Sequence, residues 1–156
     1  MTVGVISDTH GLLRPEALTA LTGSQFIVHA GDVGPERILF ALERIAPLTA
    51  VRGNTDTEGW ARRLPMTAVL EAGGVRIYVV HDIAGLDIDP VAAGVSVVVY
   101  GHSHRPAVEH RGDVLFLNPG AAGARRFSLP VTVARLTITG GNAQAEVIEI
   151  VPPDEP

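Results

Sequence analysis

The stretch TVGVISDTH, residues 2–10, decides the fold that the sequence predicts. Its first six residues are a β-rich, largely apolar run, which predicts a buried strand that stops at Asp8-Thr9-His10. Two further runs end in the same way, with a small residue and a metal-ligand type of residue: residues 25–30 before Gly31-Asp32, and residues 48–52 before Gly53-Asn54.

Helix signals lie between these three predicted strands. Pro15 fits the first turn of a helix that continues over residues 16–21. A second helix opens after Gly34-Pro35, and its apolar residues fall at helical spacing: Ile38, Leu39, Leu42 and Ile45. The order β-α-β-α-β predicts parallel strands that are joined by right-handed crossovers.

The second half of the chain is richer in strand signals. Hairpin turns are predicted at Gly73-Gly74, Arg111-Gly112-Asp113 and Gly140-Gly141-Asn142, and the apolar residues 94–100 run into Gly101-His102. We expect an α/β fold of two packed sheets with helices on the outer faces. One domain is predicted over residues 1–151, followed by a frayed, proline-rich tail over residues 152–156.

Composition narrows the functional classes. Of 156 residues, 46% are apolar and none is cysteine, so disulfides, thiolate metal sites and cysteine nucleophiles are excluded. The net charge is −5 without a basic stripe, which argues against stable nucleic-acid binding. The N-terminal residues lack a secretory signal pattern, and residues 91–100 are too short to span a bilayer. These observations predict a cytoplasmic protein without membrane association.

The polar residues at the predicted strand ends carry the chemistry. The carboxyl ends of strands in an open α/β sheet form the crevice in which ligands bind, so we expect these side chains to converge. Each piece alone has an ordinary structural explanation, since Asp caps helices and Gly-Asp or Gly-Asn forms turns. The succession of four histidines, two aspartates and one asparagine instead indicates a metal centre with nitrogen and oxygen ligands.

The ordered motifs resemble the calcineurin-like metallophosphoesterases, and the short chain is similar to their small prokaryotic phosphodiesterase branch. The motifs are Asp8-Thr9-His10, Gly31-Asp32, Gly53-Asn54-Thr55-Asp56, His81 and Gly101-His102-Ser103-His104, with Asn118-Pro119-Gly120 resembling a late loop of that branch. The resemblance implies a metallophosphoesterase-like four-layer α/β/β/α sandwich with two packed mixed sheets. It also implies a metal-dependent phosphoric ester hydrolase that acts on a small phosphoester, with a phosphodiester as the expected substrate.

Carried over by position, the resemblance implies two metal sites. Asp8, His10 and His104 would hold one metal, Asn54, His81 and His102 the other, and Asp32 would bridge them about 3.5–4 Å apart. Asp32, Asn54 and His102 are also predicted to contribute to catalysis. Imidazole and carboxylate ligands suit Mn²⁺, our first choice, and also Fe, Ni²⁺, Co²⁺ or Zn²⁺. The hypothesis is that a metal-bridging hydroxide attacks phosphorus, while the metals and Asn54 stabilise the phosphoryl charge.

Two positions depart from the family pattern. Thr55 stands where many members carry a histidine that is thought to assist the leaving group, and threonine cannot act as an acid near neutral pH. Asp82 follows His81, where glycine is common, and either orients a ligand or caps a turn, which we favour. Asn54, Thr55, Arg105 and Arg125 are the substrate-binding candidates. His29 is interpreted as structural, and His110 as exposed.

Two rival functions remain at this stage. The first is a non-catalytic protein-binding scaffold on the same fold, which a eukaryotic trafficking-coat subunit exemplifies after losing part of its cage. Completeness of the ligand set separates the two, and all seven positions are filled here. The second is a metal-dependent nuclease, which the net negative charge disfavours for long nucleic acids. The natural substrate and the formation of a homo-oligomer are left open.

Overall fold

The computed structural model describes residues 1–153 as ten strands, two α-helices and two short 3₁₀ helices. The first half contains β1 (Thr2–Ile6), α1 (Pro15–Leu21), β2 (Phe26–His29), α2 (Arg37–Glu43) and β3 (Leu48–Ala50), followed by a 3₁₀ helix over Gly59–Arg63. The second half contains β4 (Thr67–Ala72), β5 (Val75–Val80), a 3₁₀ helix over Ile83–Gly85, β6 (Val97–Val99), β7 (Ala107–Arg111), β8 (Val114–Asn118), β9 (Val131–Thr139) and β10 (Asn142–Val151).

Two mixed sheets of five strands confirm the predicted α/β architecture. The first sheet has the order β10-β9-β1-β2-β3, in which β1, β2 and β3 are parallel and β9 pairs antiparallel to β1. The second has the order β4-β5-β6-β8-β7, with β5, β6 and β8 parallel between antiparallel edge strands. The hairpins predicted around all three glycine turns connect β4 to β5, β7 to β8, and β9 to β10.

A dry core of aliphatic side chains holds the two sheets face to face. Val3, Val5 and Val28 of the first sheet pack in one cluster with Ile77 and Val97 of the second. These five side chains are at most 1% exposed, and β-branched residues fill such pleated, buried surfaces well. This packing aligns the carboxyl ends of strands from both sheets along one rim.

The outer faces of the two sheets are covered differently. On the first sheet, α1 and α2 bury Leu21, Ile38 and Leu42 against the strands, as predicted. On the second, the residues packed against the Tyr78 and Phe116 face come from the Ile83–Gly85 3₁₀ helix and the loop that follows it. The expected helical layer is therefore a single short turn on that side, because the segment between β5 and β6 carries Asp87, Asp89 and Pro90 instead of a helical apolar repeat.

The Gly59–Arg63 3₁₀ helix carries Trp60, which is half-buried against the apolar cluster beneath α1 and α2. Residues 154–156 of the predicted tail lie outside the described residues. Within residues 1–153, every helix is too short or too polar to cross a membrane.

Candidate metal centre

Loops from both sheets meet at the rim where the parallel strands end. Those after β1 and β2 are joined by backbone bonds, since Asp8 N–H donates to Gly31 O and His10 N–H to Asp32 O, both at 3.0 Å. A bond from the His102 N–H to Asp8 Oδ2, at 3.1 Å, ties the loop after β6 to the loop after β1. All seven predicted ligands lie in loops at this rim: Asp8, His10, Asp32 and Asn54 from the first sheet, and His81, His102 and His104 from the second.

Asp8, His10 and His104 form the first group of potential metal ligands. Asp8 Oδ1 lies 3.5 Å from His10 Nε2 and 3.4 Å from His104 Nε2, and the two imidazole nitrogens are 3.2 Å apart. Asp8 Oδ1 is buried and makes no hydrogen bond to any described residue. A buried carboxylate oxygen without a donor, facing two imidazole nitrogens, suits a cation better than water or a neutral partner.

Asp32, His81 and His102 form the second group, and Asn54 lies within it. His81 Nδ1 lies 2.7 Å from the carbonyl oxygen of Ala30 and must donate to it, because a carbonyl only accepts. In the neutral ring, Nε2 then carries a lone pair and no proton. It is directed at Asn54 Oδ1, 2.9 Å away, and at Asp32 Oδ2, 3.3 Å away. Three acceptors that converge in this way need a proton or a metal ion between them.

Asp32 lies between the two groups. Its Oδ2 is 3.5 Å from His10 Nε2 of the first group and 3.3 Å from His81 Nε2 of the second. Its Oδ1 accepts the Thr55 N–H at 2.9 Å, which fixes the carboxylate orientation. This arrangement of one carboxylate oxygen between two imidazoles has the form of a bridging ligand.

The charges at the centre reflect this convergence. Burial alone would raise the pKa of Asp8, but the neighbouring imidazoles of His10 and His104 and the hydrogen bond from Ser7 outweigh it and hold the pKa far below its usual value. For Asp32 burial is likewise outweighed, by His81 and Thr55, and the pKa falls from 3.8 to about 2. Burial by itself would lower the pKa of His81, but the neighbouring Asp32 outweighs it, so the pKa lies above its usual value. Both carboxylates are therefore ionised and available to a cation at neutral pH.

The backbone at these ligands adopts an uncommon conformation. Five of the seven lie in the left-handed region although none is glycine: φ is 53° at Asp8, 44° at His10, 56° at Asp32, 71° at His102 and 62° at His104. Such residues cost free energy and are concentrated at functional sites. Two glycines allow the loops to approach, because a Cβ at Gly53 would overlap Asp32 Oδ1 and one at Gly101 would overlap Ser7 Oγ.

His29 is a structural residue, as its position inside the strand predicts. The imidazole is fully buried, accepts the Gly31 N–H at Nδ1 and therefore donates from Nε2 to Thr9 Oγ1, 3.0 Å away. Thr9 in turn donates to Val33 O at 2.6 Å. Since Thr9 lies between Asp8 and His10, this chain of bonds fixes the first ligand loop against the second.

Asp56 is a supporting residue to which the sequence assigned no role. Its carboxylate is buried and accepts the Val33 N–H and the Gly53 N–H, each at 2.9 Å. These bonds hold the loop after β2 against the loop after β3. Asn118 has a comparable role, because its side chain donates to Gly101 O and Ser103 Oγ beside the last two ligands.

The remaining candidates separate into two sets. Thr55 and Arg105 are exposed next to ligands, whereas the Arg125 guanidinium donates to the carbonyls of Leu129 and Pro152. These bonds tie Arg125 to the C-terminal segment, and its place in substrate binding stays a prediction. Asp82 caps its turn by accepting the Ala84 N–H, as predicted, while its Oδ2 also lies 3.8 Å from His102 Nε2.

Comparison with known proteins places this geometry in a family. A family model of the calcineurin-like phosphoesterase superfamily domain matches residues 1–141. A probable metallophosphoesterase of Methanothermobacter thermautotrophicus is 34% identical in an alignment that covers 95% of this chain and 92% of that protein. The phosphodiesterase YfcE of Escherichia coli K12 is 32% identical in an alignment that covers 83% of this chain and 84% of that protein.

Solved structures show the same fold. A conserved protein of Streptococcus pneumoniae TIGR4, described as a predicted phosphoesterase, superposes with a TM-score of 0.76 at 26% identity, covering 95% of this chain and 88% of that chain. Vps29 of Chaetomium thermophilum superposes with a TM-score of 0.76 at 20% identity, covering 95% of this chain and 97% of that chain. At the identity of Vps29, the likeness extends to the fold alone.

Proposed function

The chain belongs to the calcineurin-like phosphoesterase superfamily, and we propose that it hydrolyses a small phosphodiester at a two-metal centre formed by the seven converging side chains. Its relatives include a probable metallophosphoesterase and a phosphodiesterase, which identifies the chain as a phosphoric ester hydrolase. The observation that carries the two-metal proposal is the position of Asp32 Oδ2 between His10 Nε2 and His81 Nε2.

Each proposed metal would draw ligands from both sheets. Asp8, His10 and His104 would hold one, Asn54, His81 and His102 the other, and Asp32 both. The orphaned Asp8 Oδ1 and the His81 lone pair are the observations that fit cations to these positions. The nitrogen and oxygen donors suit Mn²⁺ or a neighbouring transition metal, with Mn²⁺ proposed first. When bound, two such cations supply Lewis acidity and neutralise phosphoryl charge.

The side chains of the chain itself would bind and orient the phosphoryl group. Asn54 directs Oδ1 at His81 and at His102 Nδ1, 3.1 Å away, so its amide Nδ2 is left to donate to a phosphoryl oxygen. His102 and Asn54 are exposed at the rim and meet the substrate there. Thr55, also exposed, offers no acidic proton near neutral pH. We therefore propose a preference for esters with good leaving groups, such as phenols.

Substitution of Asp32 tests the centre. We expect Asp32→Asn to lose hydrolysis of bis(4-nitrophenyl) phosphate in the presence of Mn²⁺ and to retain less metal by elemental analysis. The matched control is Asp113→Asn, at an exposed turn between β7 and β8, which should behave like the wild type. Unchanged turnover in Asp32→Asn would exclude the bridging role.

The competing function is a non-catalytic scaffold, and the reason to test it is the likeness of the fold to that of Vps29. The complete ligand set and its convergence favour the enzyme. Failure of the purified protein to hydrolyse any of a panel of phosphoesters, with each divalent metal in turn, would favour the scaffold instead. The panel would also define monoester against diester preference.

A further inference from the structure

A cavity of about 260 Å³ opens beside the second ligand group. Asn54 and His81 form part of its wall, so the cavity is continuous with the proposed reaction centre. Met66 and Val80 give it apolar surface, and Arg52 also lines it. Ligand pockets for drug-sized molecules are roughly 300–1,000 Å³, so this cavity admits a single ring or a short chain.

Among the residues that line this cavity, Arg52 carries a buried side-chain nitrogen that lacks a partner. Its backbone N–H donates to Pro65 O at 2.9 Å, which fixes the residue between β3 and β4. The side-chain Nε is buried without a hydrogen bond to any described residue. By contrast, the exposed Arg63 is paired with Glu36 at 2.7 Å. No described residue accepts a hydrogen bond from the Arg52 side chain, so its guanidinium keeps its donors for a ligand in the cavity that it lines.

The chemistry of the cavity selects the kind of group that fits. A guanidinium donates several hydrogen bonds and accepts none, so it recognises an acceptor oxygen. Asp82 and Asp87 also line the cavity, and their carboxylates disfavour a second phosphate there. A small, mainly apolar group with one acceptor oxygen meets all three conditions of size, donor and charge.

We propose that this cavity, the Arg52 pocket, binds one ester substituent of the diester, and that Arg52 determines specificity by donating to an acceptor oxygen on that substituent. The expected effect of Arg52 on turnover rests on the proposed phosphodiesterase function. Arg52 does not contact the reacting atoms in this assignment. Its substitution should change selectivity among substituents and leave metal binding intact.

A matched pair of substrates tests the selectivity. Bis(4-acetylphenyl) phosphate carries a carbonyl acceptor on each ring, and bis(4-ethylphenyl) phosphate has nearly the same shape without one. We expect Arg52→Met to lower kcat/KM for the acetyl compound roughly tenfold to a hundredfold, the range for a hydrogen bond to a charged group, and for the ethyl compound less than about threefold. Each substrate is compared with itself, so intrinsic reactivity cancels.

Three controls separate specificity from a merely structural role. Arg44→Met, at an exposed arginine, should leave kcat/KM for both compounds unchanged. Arg52→Lys keeps the charge and should retain part of the preference, which provides a second variant if Arg52→Met folds poorly. Metal content should equal that of the wild type in each protein. Equal losses for both substrates in Arg52→Met and Arg52→Lys would overturn the proposal.

A binding measurement tests the pocket without turnover. The chain has two methionines, Met1 and Met66, so methyl NMR of ¹³C-labelled methionine gives one signal in the pocket and one internal control. We expect 4-hydroxyacetophenone to shift the Met66 signal, and 4-ethylphenol, or the Arg52→Lys variant, which adds no methionine, to weaken that effect. Absence of a Met66 shift would refute the pocket. Absence of hydrolysis with Met66 shifted would refute the proposed function and leave the pocket supported.

Discussion

Replacement of His29 by glutamine should reduce the dependence of folding stability on pH. Burial lowers the pKa of the His29 imidazole from its usual 6.5 to about 4. Between these two values the unfolded chain binds a proton that the folded chain does not bind. Stability from the neutral imidazole is therefore fully present above pH 6.5 and is lost as the pH falls towards 4.

The size of the effect follows from that difference in pKa. One pKa unit corresponds to about 1.4 kcal/mol, so a shift from 6.5 to about 4 removes about 3 kcal/mol of unfolding free energy once the pH has fallen below 4. About 2 kcal/mol of this is lost between about pH 7 and about pH 4.5. Glutamine does not titrate, so His29→Gln should lack this part of the loss.

Urea unfolding of the metal-free protein at several pH values measures the difference. The charged groups that act on His29, namely Asp8, His10, Asp32 and His81, are present in both proteins, so the comparison isolates the buried imidazole. His110→Gln is the matched control, because folding leaves that histidine exposed to water. Identical pH dependence in the wild type and His29→Gln would refute the account of His29 as a buried, neutral donor to Thr9.

Three further predictions concern the loops that carry the ligands. Gly53→Ala would force a methyl group against Asp32 Oδ1, and we expect Mn²⁺ affinity measured by calorimetry to fall roughly 10–100-fold, whereas Gly59→Ala, with no neighbouring atom within 4 Å, should bind as the wild type. Asp56→Asn would place an amide donor against a backbone N–H, so urea unfolding should show a loss of about 1–3 kcal/mol. Chelation with EDTA should abolish diester hydrolysis and added Mn²⁺ should restore it, while activity that persists in EDTA would contradict a metal-dependent reaction.

The residues at the rim of the sheets were easier to predict from the sequence than the residues that hold the rim loops together. Ligand types such as Asp8 and His102 follow apolar strands directly, so strand periodicity and parallel topology were enough to bring them to one edge. The role of Asp56 was not predictable in this way, because its carboxylate accepts a hydrogen bond from the backbone N–H of Val33, which lies 23 residues away in sequence. Arg52 was also missed, although its place directly before Gly53-Asn54 put it at the same strand end.

The covering of the second sheet was the least predictable part of the fold. Residues 83–88 have no helical repeat, yet Ile83, Leu86 and Ile88 cover apolar strand residues such as Tyr78. Tertiary contacts select this conformation, and local propensity carries no signal for it. The bonds of Arg125 were not predictable for the same reason, since its guanidinium donates to the carbonyls of Leu129 and Pro152, which no local sequence motif indicates.

The division of the ligands between the sheets has a consequence for the order in which the protein matures. A chain emerging from the ribosome as far as β4 carries Asp8, His10, Asp32 and Asn54 but none of the three imidazoles contributed by the second sheet. With the proposed ligand set, tight capture of metal would wait until His104 has been synthesised and the two halves have docked. The bound ions would then join the two sheets late in folding, so the stability of the folded protein would depend on the supply of metal.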